Sequence, residues 1–126
     1  MSFSNTYENI VLQWTFTTGT VTRPTAWYLG LFTSNPGDDN SGTEISGNGY
    51  ARKSVSFSVT GDTATNVASV EFDVATANWG TITHIAVFDA VTGGNQIAYA
   101  ALASSKVIET GDVIRVPAGD LDITLD

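Results

Sequence analysis

The residues that could do chemistry in this chain are few. It holds one histidine, His84, and no cysteine, so disulfides and thiolate metal sites are excluded. His84 falls in the middle of an alternating run, on a face that is otherwise apolar. A lone histidine without thiol partners reads as a structural residue rather than a metal ligand or general base. A nucleophilic serine would need a sharp strand-to-helix elbow, and G-x-S-x-G is absent. No glycine-rich phosphate loop stands at a strand–helix junction, and no Walker lysine follows one.

Carboxylates gather at Asp38, Asp39 and Glu44. A rigid pair could hydrolyse a glycoside, but this stretch is full of turn formers and reads as a flexible loop with solvated charges. Asp38, Asn40 and Gly42 alternate, with Glu44 following. Counted from Asp38, the EF-hand positions that need Gly and Glu hold Thr43 and Gly49, so that pattern fails. An irregular calcium site stays open as the alternative. Trp14, Trp27 and Trp79 could stack on sugars, although core or interface anchors are their commoner use. Arg52 and Arg115 read as ion-pair partners. The expectation is a non-enzyme with no cofactor and no metal.

Net charge narrows the partners. The chain of 126 residues carries −8, with only five Lys and Arg. These are Arg23, Arg52, Lys53, Lys106 and Arg115, scattered apart from the adjacent pair. Nucleic-acid binding needs a basic patch, and anionic membrane surfaces repel an acidic chain. Neither partner is expected. Residues 1–8 lack a basic, then apolar, leader pattern, and no apolar run approaches membrane-spanning length. Charged residues make up only 14%, against about 25% in an average domain. The polar surface is therefore built from Ser, Thr, Asn and Gly, which suits strands and turns.

The elements that must position these residues follow from periodicity. Ser4 or Asn5 caps a short helix in which Tyr7, Ile10, Val11 and Trp14 share one face. A strand over residues 10–16 is the competing reading. Residues 26–33 read as a buried strand, and residues 34–49 as a long loop, a length usually reserved for function. Residues 51–60 alternate, with Val55, Phe57 and Val59 facing inward. Val70, Phe72 and Val74 continue that pattern. In residues 81–90, Ile82, His84, Ala86 and Phe88 share one face, and Ile85, Val87 and Asp89 the other. Thr92-Gly93-Gly94-Asn95 is a hairpin turn leading to a strand over residues 96–102. Short strands are expected at 106–108 and 113–116, and Leu121, Ile123 and Leu125 alternate in the last one. Together these predict a mainly β fold, an antiparallel β-sandwich of jelly-roll type with a short N-terminal helix. One domain is expected over 1–126, with a helical arm at 1–22 and the sandwich at 23–126.

The order of several segments carries a resemblance. These are Tyr28-Leu29-Gly30-Leu31-Phe32-Thr33 with Asn35-Pro36, Gly42-Thr43-Glu44-Ile45-Ser46-Gly47, and Gly49-Tyr50-Ala51-Arg52. Later come Asn78-Trp79-Gly80-Thr81-Ile82-Thr83-His84, Phe88-Asp89-Ala90, Thr92-Gly93-Gly94-Asn95, Gly111-Asp112 and Ala118-Gly119-Asp120-Leu121. From about Tyr7 onward the chain resembles a family of small virion proteins of tailed bacteriophages, often labelled tail-fibre-like and similar to capsid cement (decoration) proteins.

The resemblance implies a structural role in the virion. The leading expectation is a decoration protein on the capsid exterior, synthesised in the host cytoplasm. It would bind the major capsid protein and copies of itself, as a dimer or trimer, and stabilise the assembled shell by mass action. The alternative is a tail or fibre adaptor or a receptor-binding tip, partnered by tail proteins. A carbohydrate-binding module is the remote alternative, resting on the tryptophans. Repeats and heptads are absent, which argues against a fibre shaft. The expected interface residues are Tyr7, Trp14, Pro36, Asp38, Asp39, Glu44 and Arg52, because loops on a rigid scaffold carry contacts.

Overall fold

A computed structural model describes residues 1–125. Its first strand, β1 (Ser2–Phe3), leads at once into helix α1 (Asn5–Phe16). Ser4 is the N-cap, with extended backbone; its Oγ accepts from the Tyr7 N–H and donates to the Gln96 carbonyl. That cap satisfies a helix N–H that would otherwise be orphaned. The helix reading of this segment therefore holds over the strand. Thr17 ends it, donating its N–H to the Gln13 carbonyl.

The remaining elements are β2 (Tyr28–Phe32), β3 (Lys53–Ser54), β4 (Phe57–Thr60), β5 (Thr63–Asn66), β6 (Val70–Glu71), β7 (Gly80–Phe88), β8 (Gln96–Ile108), β9 (Arg115–Val116) and β10 (Asp122–Thr124). A five-stranded sheet runs β1-β8-β7-β2-β3. Smaller sheets run β10-β5-β4 and β6-β9. Every pairing between these strands is antiparallel. Leu29, Leu31, Ile85, Val87 and Ile97 of the large sheet share one core with Val70, Phe72, Ile114, Leu121 and Ile123. Apolar faces of separate sheets closed against each other make the fold mainly β and sandwich-like, as expected.

Several expected strands break where the chain changes sheet. Residues 51–60 are two strands: β3 pairs with β2, and β4 pairs with β5. Val55 is buried at the crossing, Phe57 is half-buried and Val59 is exposed. Val74 is likewise exposed, because β6 ends at Glu71. Leu125, which alternates in step with the buried Leu121 and Ile123, is exposed. Residues 96–108, expected as two strands, are one.

The largest correction lies in β7. Its register against β8 shifts between Ile82 and His84, where Ile82 faces Lys106 and His84 faces Ala101. A bulge moves the following side chains to the other face. Ile82 therefore joins Ile85 and Val87 in the main core, while Ala86 and Phe88 pack with Phe32 in a second cluster across the sheet. β7 is thus buried on both faces near its end, where alternation alone assigns Ile82 to the same side as Phe88.

Candidate functional site

Two polar gatherings beside the β7–β8 hairpin differ in how completely the fold uses them. The first is a hub on the outer side of β2. Glu44 pairs with Phe32 across an isolated bridge, which turns its carboxylate over the sheet. Arg52 meets it in a fork: Nη2 lies 2.7 Å from Oε1 and Nε 2.8 Å from Oε2. The remaining guanidinium donor, Nη1, reaches the Ala90 and Gly93 carbonyls at 2.9 and 2.8 Å. The cation lies 3.5 Å over the Phe88 ring, an arrangement that favours Arg over Lys. Tyr50 donates its hydroxyl to Glu44 at 2.6 Å and accepts from the Leu31 N–H. Burial and then this carboxylate raise the Tyr50 phenol far above its ordinary value.

Gly30 makes room for the hub. A Cβ there would lie 2.9 Å from Glu44 Oε2 and 3.1 Å from Phe88 Cε2. The hydrogen bonds of Arg52, Glu44 and Tyr50 are thus largely met within the fold. It joins the loop at 34–49, β2 and the β7–β8 hairpin.

The second place is a groove between α1, the strap at 17–27 and the β7–β8 hairpin. It has a polar half of about 480 Å³ and an apolar half of about 610 Å³. Both halves share Tyr7, Ile10 and the strap from Val21 to Pro24. The polar half adds Gln13, Asp89 and Asn95. Asp89 accepts from the Asn95 N–H at 2.7 Å, from its amide at 3.1 Å and from the Tyr7 hydroxyl at 3.0 Å. Burial pushes the Asp89 carboxyl up, but these donors outweigh it and hold it below the ordinary carboxylate range. Tyr7 is raised well above its usual value, by burial first and then by Asp89.

The apolar half holds Trp14 and Trp27, which are 69% and 36% exposed. Trp14 lies on the helix stripe of Tyr7 and Ile10, yet the strap leaves the groove open beside it. Arg23, on the rim of both halves, makes no ion pair among the described residues.

The expected interface residues divide accordingly. Tyr7 and Pro36 are buried. Glu44 and Arg52 hold each other inside the hub, so Glu44 is not the solvated loop charge expected. Trp14, Asp38 and Asp39 are exposed. Nor is the loop at 34–49 flexible by construction. The Asn5 N–H donates to the Asp38 carbonyl, the Gln96 amide to the Gly37 carbonyl and the Ile45 N–H to the Leu31 carbonyl. The Tyr99 hydroxyl donates to the Asp38 carboxylate, which raises the Tyr99 phenol. Among the described residues no three His, Asp or Glu side chains converge. Trp79 is buried and donates its indole N–H to the Asn48 carbonyl, an anchor as expected. His84 is half-buried beside Thr83 Oγ1.

Sequence reasoning passed over Arg23, Asp89 and Asn95 as site residues. The readable signal was the hairpin turn itself, whose ends carry Asp89 and Asn95.

Residues 2–124 match the family model described as Podophage GP4 fiber I protein gp80. Comparison with curated proteins returned no match.

Proposed function

This chain belongs to the podophage GP4 fiber I protein gp80 family of phage structural proteins, and from that premise we propose that it is a non-catalytic fibre-side component, an adaptor or a receptor-facing tip. The observation that carries this reading is the family match across almost the whole chain. The architecture supports it. Nothing in the sequence repeats, so a single compact sandwich suits an adaptor or a tip better than a shaft. The net charge of −8 suits a solvent-facing position away from packaged DNA.

Helix α1 supplies a contact surface. Leu12 and Phe16 are exposed and four residues apart, so they share the side of the helix turned from Tyr7. Neighbouring tail proteins, or copies of this chain, would cover them.

Capsid decoration is the second reading. It is favoured by the internally closed, acidic domain, which needs only a surface helix and loop to clamp neighbouring subunits of the major capsid protein. Copy number separates the two. Quantitative mass spectrometry of purified virions should give a few tens of copies at most for a fibre component. Hundreds per particle would overturn the fibre-side reading in favour of the shell.

A further inference from the structure

The groove beside α1 combines features that the structural role does not use. An aromatic platform, Trp14 and Trp27, borders one end. Planar polar side chains, Gln13, Arg23, Asp89 and Asn95, border the other. Their hydrogen-bonding capacity is only partly met. The Gln13 side-chain amide donates to Asn9, which leaves its side-chain oxygen free, and the Asn95 side-chain amide donates to Asp89, which leaves its own side-chain oxygen free. Arg23 has no protein partner among the described residues for its fork of donors. A ligand for this surface needs an apolar face for the indoles and an equatorial ring of donors and acceptors for the amides, carboxylate and guanidinium. The two halves, about 480 and 610 Å³, have the dimensions of small-molecule sites.

We propose that this groove binds a neutral saccharide, with a sugar ring stacked on Trp14 or Trp27 and its hydroxyls hydrogen-bonded by Arg23, Asp89 and Asn95. Asp89 and Arg23 offset each other's charge, and the rest of the chain is acidic, so a polyanionic glycan is disfavoured. Tyr7 and Asn95 fix the Asp89 carboxylate in place, which lowers the ordering cost of binding. The inference does not depend on whether the chain sits on the fibre or the shell.

The test uses the full chain on an array of neutral and acidic saccharides, with hits titrated as free sugars by tryptophan fluorescence. Trp79 is buried and Trp14 and Trp27 are exposed, so a bound sugar should shield emission from acrylamide quenching. The expected result is binding of at least one neutral saccharide. Trp14→Ala or Trp27→Ala should weaken it by about tenfold at an unchanged melting temperature. Trp27→Phe should recover part of the loss. Arg23→Gln, outside the core, is the control should a tryptophan variant unfold, and it should also weaken binding. No neutral saccharide bound, acidic glycans alone bound, or full affinity in the folded variants would each overturn the proposal.

Discussion

Arg52 and Arg23 occupy opposite environments in this fold. Arg52 forks onto Glu44, reaches two backbone carbonyls and covers Phe88. Arg23 lies on the rim of an open groove with no ion-pair partner among the described residues. The tyrosines and tryptophans divide in the same way. Tyr50 and Trp79 stand edge to face, with centroids 5.5 Å apart and each polar atom engaged, whereas Trp14 and Trp27 are exposed along the groove. Groups whose hydrogen bonds are met internally hold a fold together and have little left for a partner. Unmet groups on a rigid rim are where recognition is found. The hub is therefore the structural region and the groove the binding region.

Breaking the hub should have the largest effect. Arg52→Ala leaves the partly buried Glu44 without its cation and should cost about 3 kcal/mol or more. Chemical denaturation reads this directly. A loss below about 0.5 kcal/mol, the range of an ordinary surface change, would erase the contrast. Next comes Gly30→Ala. Its methyl would press on Glu44 and Phe88, and overpacking of this kind costs about 1–3 kcal/mol; a thermal melt checks it.

A pH series sharpens the same point. The Tyr50 phenol is raised in the fold, while the unfolded chain ionises tyrosine near 10. A raised group contributes stability that is whole below the unfolded value and is lost as pH rises through the folded one. Melting temperature should fall above about pH 10, and Tyr50→Phe should flatten that fall. Tyr7, raised in the groove, contributes a slope of the same sign that remains in the variant. The smallest expected effect is that of Trp14→Ala, within about 0.5 kcal/mol by denaturation, as for an exposed side chain outside the core.

How far this was legible in the sequence depended on the range of the interactions. The helix cap at Ser4 and the hairpin at residues 92–95 are local, and both were readable. The sheet change after Ser54 was not, because alternation looks the same whichever sheet a strand joins. The bulge before His84 was hidden for a related reason. It lets β8 carry extra residues opposite one position of β7, and periodicity of β7 alone cannot register that. Glu44 and Arg52 were singled out, but Glu44 as a solvated charge on a flexible loop. Their contact depends on Gly30, a mid-strand glycine of the kind that marks close approach. The loop at 34–49 looked flexible from its turn residues. Its anchors, Asn5, Leu31, Gln96 and Tyr99, all lie outside it and are visible only in three dimensions.

On the proposed fibre-side reading, this domain lies in the tail region of the phage virion, with its groove outward and its hub holding the fold together. Cryo-electron microscopy of intact virions tests that most directly. The expected map shows this domain confined to the tail region, with the α1 surface at Leu12 and Phe16 against a neighbour and the Trp14–Trp27 groove open to solvent. Density repeated across the icosahedral shell, or a groove sealed by a capsid subunit, would contradict it.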